Sequence, residues 1–272
     1  MIKVNNEVIN FKHFNDRTLR LNYLPESCYG SAEIVWLYDN DEEMSYLYFL
    51  VKHLRNACGI KRLTLNMPYV PHARMDRVKD TAECFTLKYF CDFINSLQFD
   101  RVWVFDVHSR VSAALLNKVE VKYPKHVIEE LLRTYSNATL CFPDAGSMTR
   151  YSKLLDNDIY FAFGVKDREW NTQEVKSLRI MGAKHMITGH DIILCDDILS
   201  RGSTIYLAAR QLKDMGANDI YVYVSHCEPT VLKPNINGQS LLDIPNLITK
   251  VYTTNSLWRN VENDKVEVCN LW

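Results

Sequence analysis

ILCDDILSRGSTI, residues 193–205, is the stretch from which the architecture reads most directly. Apolar Ile193–Cys195 suits a strand buried on both faces, and two acids, Asp196 and Asp197, close it. A short loop follows, Ser200-Arg201-Gly202-Ser203-Thr204, and helical periodicity then runs over Thr204–Met215. Strand, glycine-bearing loop and helix in that order form the α/β unit whose ligands bind beyond the carboxyl ends of the strands. Gly202 permits close backbone approach. The amides at a helix N-terminus suit phosphate, and Ser203 and Thr204 add hydroxyls. Paired acids repel phosphate but suit sugar hydroxyls or a metal. Together they describe a site for a phosphorylated sugar. For one short loop alone, a Ser/Thr helix cap beside two solvated acids is a competing reading.

Outward from this stretch, the same unit recurs. Helical stripes are expected at Glu43–Cys58, at Asp80–Leu97 behind an Asp80/Glu83 capping box, near Lys125–Tyr135, and at Thr149–Leu155. Strands are expected at Lys61–Met67, Phe99–Val107, Ala138–Phe142, Tyr160–Val165, Ile220–Ser225 and near Leu247–Thr253. Leu178–Met181 and Met186–Asp196 read as a hairpin. HLRNACGIKRLTL (53–65) and RQLKDMGANDIYVYV (210–224) both read helix, Gly, polar pair, strand. Two similar α/β halves follow, residues 1–122 and 123–272, divided near Val121–Pro124.

Composition narrows the function. The 272 residues are 47% hydrophobic and carry 32 basic against 33 acidic side chains. Near-neutral charge, with no basic run beyond two residues, argues against nucleic acid as a partner. No apolar stretch approaches the roughly 18 residues of a spanning helix, and the N-terminus lacks an apolar signal core, so no membrane partner is expected. The eight cysteines form no C-x-x-C pair and read as reduced thiols of a cytoplasmic protein. There are only nine Gly and eight Pro, so a Gly inside a motif carries weight.

Further segments carry a resemblance. The 193–205 pattern resembles the phosphoribosyl diphosphate motif of type I phosphoribosyltransferases. PYVPHARMDR (68–77), VFDVHS (104–109), PDAGSMTRY (143–151) and GVKDREW (164–170) resemble, in order and spacing, the PY–x–x–x–ARQDR, DLH, PD–x–G–x–x–R and Lys-x-Arg segments of ribose-phosphate diphosphokinases. The resemblance runs from about Phe14 to Leu257. It implies two phosphoribosyltransferase-like domains, each a mainly parallel sheet flanked by helices. It also implies Mg²⁺-dependent transfer of the β,γ-diphosphate of ATP to the anomeric hydroxyl of ribose 5-phosphate, with AMP released.

By that resemblance Phe14, Asp16, Arg74, Asp76, Arg77 and His108 bind ATP, and His108 and Asp144 serve the metal, with Asp106 supporting His108. Lys166 and Arg168 are the catalytic pair, stabilising charge on the transferred group. Asp196 and Asp197 hold the ribose hydroxyls, and Ser200, Arg201, Gly202, Ser203 and Thr204 hold the 5-phosphate. A homo-oligomer is also implied. No G-x-x-x-x-G-K-[ST] occurs, which argues against a P-loop kinase.

Departures from the family pattern leave alternatives open. The family loop reads close to D-T-G-G-T; here an acid has become Ser200, a Thr has become Arg201, and one Gly is gone. Met75 replaces a Gln, and FNDRT (14–18) is a partial counterpart of F-x-D-G-E. A more cationic loop suits a larger acceptor such as ADP-ribose, giving ADP-ribose pyrophosphate for NAD synthesis. A non-catalytic regulatory homologue, and a phosphoribosyltransferase that consumes the activated sugar, are the readings of other classes. The retained Lys166/Arg168 pair argues against the first, and the ARMDR and DVH segments against the second.

Overall fold

The computed structural model describes residues 1–23, 30–155, 159–168 and 175–271, with backbone only at 166–168 and 175–177. Two compact units emerge, Met1–Lys122 and Tyr123–Leu271.

The first unit contains β1 (Ile2–Val4), β2 (Glu7–Val8), β3 (Lys12–His13), β4 (Leu19–Arg20), β5 (Ser31–Trp36), α1 (Glu43–Asn56), β6 (Arg62–Asn66), α2 (Thr86–Ser96), β7 (Arg101–Phe105), α3 (Arg110–Leu115) and β8 (Val119–Lys122). Its main sheet has the order β2-β1-β5-β6-β7-β8, and β5 to β8 run parallel. Sequential order with right-handed crossovers places successive helices on one face. Accordingly Ile34, Trp36, Leu63, Leu65, Val102 and Val104 share one core with Leu47, Leu50, Val51 and Leu54 of α1 and Phe90, Cys91 and Ile94 of α2. Acid at the start of α1 is used internally: Glu43 accepts from Trp36 Nε1 (2.8 Å) and from the Asp39 amide (2.9 Å).

The second unit contains α4 (Lys125–Thr134), β9 (Ala138–Phe142), α5 (Ala145–Tyr151), β10 (Phe161–Arg168), β11 (Val175–Met181), β12 (Asp191–Leu199), α6 (Ser203–Asp214), β13 (Ile220–Cys227), β14 (Lys250–Thr254) and β15 (Val266–Cys269). The sheet order is β11-β10-β9-β12-β13-β14-β15, and every pair except β10–β11 is parallel. Here both faces are covered. Ile192, Leu194, Val222 and Val224 pack with Ile205, Ala208, Ala209 and Leu212 of α6. Ile193, Cys195 and Tyr223 pack with Val127, Ile128 and Leu131 of α4 and Tyr151 of α5.

The α/β class with mainly parallel sheets is therefore as expected, and four local readings need correction. The short helix expected at Thr149–Leu155 instead runs Ala145–Tyr151, because Asp144 caps its start. Asp80 and Glu83 do close a turn: Ala82 N–H donates to Asp80 Oδ1 (2.7 Å) and Lys79 N–H to Glu83 Oε2 (2.9 Å). The helix nevertheless begins only at Thr86, because the inward stripe Leu87, Phe90, Cys91, Ile94 starts there. The hairpin is β10–β11, whereas β12 lies in the middle of the parallel sheet. An uninterrupted buried run, Ile192–Cys195, is the mark of such a central strand. Finally, β1 to β5, β8 and β15 are strands beyond those expected; most are two to four residues long, too short for alternation to show. The seven described cysteines are free thiols, and burial pushes the Cys91 thiol up to about 12. Among the described residues no helix is long and apolar enough to cross a membrane.

Candidate active site

β12 carries the acids. Its pairing with β9 stops at Leu194↔Cys141, while pairing with β13 continues to Leu199↔Cys227. The acids therefore sit inside β12, on the portion that outruns β9, and do not close the strand as expected. Successive strand residues face opposite sides. Asp197 thus shares the α4/α5 face with Ile193 and Cys195, and Asp196 shares the α6 face with Ile192 and Leu194.

The two acids consequently meet different surroundings. Asp197 is buried and pairs with Arg150 of α5, Nη1 to Oδ2 2.6 Å, while its Oδ1 accepts from the Ile198 amide (2.9 Å). Arg150 is the arginine of the PDAGSMTRY segment (143–151), and the resemblance by itself gives it no role. Among the described residues no cation pairs with Asp196 in this way. Desolvation first, then the charges of Asp197 and Asp144, push its pKa well above the usual carboxylate range. Asp144 itself caps α5 in a capping box, accepting from the Ser147 amide at 2.9 Å.

A raised folded-state pKa means that Asp196 favours folding while protonated and disfavours it once ionised. The contribution is complete below the unfolded value of about 4 and is lost as pH rises through the folded value. Asp196→Asn is therefore expected to raise Tm at pH 7. The gain should vanish as pH falls below about 4. A Tm at pH 7 equal to or below wild type contradicts this placement.

The loop between β12 and α6 is held from one side by the segment after β13. Gly202 has φ +83°, and a Cβ there would lie 2.6 Å from Leu241 Cδ2 and 3.1 Å from its Cβ. Ser203 Oγ accepts from Asn235 Nδ2 (2.9 Å). Ser200 Oγ donates to Glu228 Oε2 (2.6 Å), which also accepts from Thr230 Oγ1 (2.9 Å). Arg201 and Ser203 are exposed, and Thr204 is half-buried. α6 starts without a side-chain cap, and its twelve residues aim their macrodipole at this loop. Gly202→Ala combines left-handed strain with overpacking, and a loss of about 1–3 kcal/mol is expected in urea unfolding. A change under about 0.5 kcal/mol would mean the loop relaxes freely.

Lys166 and Arg168 lie on β10, whose backbone pairs Lys166↔Leu178 and Arg168↔Val175, with a register shift between Asp167 and Arg168. Their side chains are outside the described residues. β10 is pressed against the turn that carries Asp144: a Cβ on Gly164 would lie 2.4 Å from the Pro143 carbonyl oxygen. Only a glycine lets the strand approach this turn.

In the first unit, Asp76 gathers neighbours around it. It accepts from Arg77 Nε (2.7 Å) and Nη2 (3.2 Å) and from Ser109 Oγ (2.7 Å). The Arg77 hydrogen bonds lead, with Ser109 and the nearby His108 charge adding, and they hold its carboxyl below the ordinary value. His108 is half-buried at the end of β7, following Asp106, which is fully buried with φ +43°. Arg74 and Arg77 are exposed on the 70s loop, which His72 ties to Asp41 at 3.0 Å. Phe14 and Asp16 fall in the turn of the β3–β4 hairpin, a separate two-stranded sheet. There Asp16 accepts from the Thr18 amide and hydroxyl, which lowers its pKa.

No family model matches the chain. Over 235 residues, 84% of the chain and 70% of the relative, it is 30% identical to the ribose-phosphate pyrophosphokinase of Shewanella oneidensis. The chain belongs to the ribose-phosphate pyrophosphokinase family. It is 28% identical over 209 residues to ribose-phosphate pyrophosphokinase 2 of Saccharomyces cerevisiae, covering 75% of the chain and 62% of that protein. Across five such members of the family the matched stretch amounts to 59–70% of their own length. The crystal structure of phosphoribosylpyrophosphate synthetase from Mycobacterium smegmatis shares the family's fold with this chain. Its TM-score is 0.74 at 18% identity, over 97% of this chain and 86% of that one.

Proposed function

We propose that the protein transfers the β,γ-diphosphate of ATP to the anomeric hydroxyl of a ribose 5-phosphate moiety and releases AMP. One observation carries this reading: Asp196 and the N-terminus of α6 lie on the same face of β12. A carboxylate for sugar hydroxyls and a helix end for phosphate, a few residues apart, match the two ends of a ribose 5-phosphate. Asp196 would orient the sugar so that its 1-hydroxyl attacks. Arg74, Arg77 and His108 would hold ATP, with Asp76 orienting the guanidinium of Arg77. Lys166 and Arg168 would stabilise the negative charge on the diphosphate in flight.

Mg²⁺ is the expected cofactor, and the donor chemistry fits an ion carried by the substrate. Among the described residues no three acidic, His or Cys side chains converge as a cage. Mg²⁺ binds through one or two carboxylates plus phosphates and keeps its waters. Asp144 is the carboxylate suited to it, and the His108 imidazole is better suited to a hydrogen bond with phosphate. Bound Mg²⁺ would neutralise charge on the triphosphate.

A second reading of the acceptor, ADP-ribose, is favoured by Arg201, an exposed cation beside the phosphate-facing end of α6. A second phosphate following the first would meet it. The test for both is mass spectrometry of the products from ATP, Mg²⁺ and each acceptor separately. AMP and a pyrophosphorylated acceptor are expected. No AMP with either acceptor rejects the reaction, and consumption of ribose 5-phosphate alone rejects the larger acceptor.

A further inference from the structure

Glu228 stands immediately after β13, where its N–H donates to the Leu199 carbonyl (2.8 Å) and ties the ends of two strands together. Its Oε2 takes the hydroxyl protons of both Ser200 and Thr230, at 2.6 and 2.9 Å. A hydroxyl has one proton to give. With that proton committed to a carboxylate, Ser200 can offer any ligand only lone pairs. Ser203 is set the other way: its oxygen accepts from Asn235 Nδ2 (2.9 Å), so its own proton is the group it can offer. One end of the loop therefore accepts and the other donates. A phosphoryl group presents acceptors and suits Ser203 and the α6 amides; a sugar hydroxyl presents a donor and suits Ser200.

We propose that Glu228 is a positioning residue for the acceptor substrate: by taking the Ser200 proton it fixes Ser200 as a hydrogen-bond acceptor for a hydroxyl of the phosphorylated sugar. It also anchors the open end of the loop to β13, so that less ordering remains to be done when the sugar binds. The inference rests on the reaction proposed above. The contact is charge-assisted and short, and hydrogen bonds of that kind are the strong ones. Because the Ser200 oxygen and the carboxylate oxygen are only 2.6 Å apart, an acid placed at position 200 would return a carboxylate to almost the same point.

The experiment measures KM for ATP and for the acceptor separately, with kcat, using whichever acceptor wild type consumes. Glu228→Ala is expected to raise acceptor KM about tenfold, the scale of one charged hydrogen bond, with ATP KM and kcat within about threefold. Glu228→Gln, whose amide oxygen still accepts from Ser200, should keep acceptor KM within about threefold. The exchange Ser200→Asp with Glu228→Ala should restore it, which a merely structural role of Glu228 would not produce. An unchanged acceptor KM in Glu228→Ala, an equal rise in both KM values, or no recovery in the exchange overturns the inference. If Glu228→Ala does not fold, Ser200→Ala decides: about a tenfold rise in acceptor KM supports the role and no rise rejects it. Wild type that releases no AMP with any acceptor fails at the earlier step and sinks the reaction itself.

Discussion

Arg150→Ala is expected to destabilise the chain by about 3–5 kcal/mol, because it strips the counter-ion from a carboxylate with almost no access to water. Asp197 is 5% exposed and Arg150 16%, and the pair is closed at 2.6 Å. Removing the guanidinium takes that counter-charge from Asp197, whose Oδ1 still accepts from the Ile198 amide. With the counter-charge gone, the folded-state pKa of Asp197 rises. Its stability contribution is present below the unfolded value of about 4 and is lost as pH climbs through the folded one. The deficit relative to wild type should therefore shrink on acidification and be largest at neutral pH. Urea unfolding from pH 4 to 8 checks both the size and the slope. A loss under about 1 kcal/mol at pH 7 would mean the pair is screened like a surface bridge. A companion pair, Arg150→Met with Asp197→Leu, should recover most of the loss, since an apolar pair of similar volume often replaces a buried ion pair at little cost.

That ion pair also divides two neighbouring acids that look equivalent in the sequence. DD reads as one functional unit, and the family resemblance assigns both acids to the sugar. In the strand they point to opposite faces. Asp197 faces α5, where Arg150 neutralises it; Asp196 faces α6, where burial and two further carboxylates hold it in tension. The strand, the loop and the helix are legible in the sequence, because the buried run, the glycine and the periodic stripe are local signals. Glu228 is not, because it lies 28 residues beyond Ser200 and reaches it only through the parallel pairing of β12 and β13. The same limit applies to Asp76 and Ser109, 33 positions apart and joined at 2.7 Å. The misplaced start of α2 has a different cause. An Asp-x-x-Glu pattern satisfies its own turn just as well as a helix end, and only the apolar stripe tells the two apart. Short strands such as β1 and β8 are not legible because three or four residues give a period-two pattern too little length to register.

Lys166→Ala carries the largest expected effect on turnover, a fall in kcat of about 10²–10³, the usual result of removing one donor from a developing anion. In diphosphate transfer the attacking and leaving oxygens do little covalent work with the protein, so the rate depends on how well the charge spread over the moving group is met. A cation placed for that moment contributes more in the transition state than in the ground state. Both KM values should accordingly change little while kcat and kcat/KM fall together. Glu228→Ala is the opposite case, with acceptor KM rising and kcat nearly constant. The two variants measured side by side therefore separate a group acting on the reaction from one acting on the position of the sugar. AMP release in single-turnover conditions gives the chemical step directly. Lys166→Arg should retain part of the rate, since the charge stays and only its geometry shifts. Turnover unchanged in Lys166→Ala would remove Lys166 from the reaction, and Arg168 would then have to carry the charge on β10 by itself.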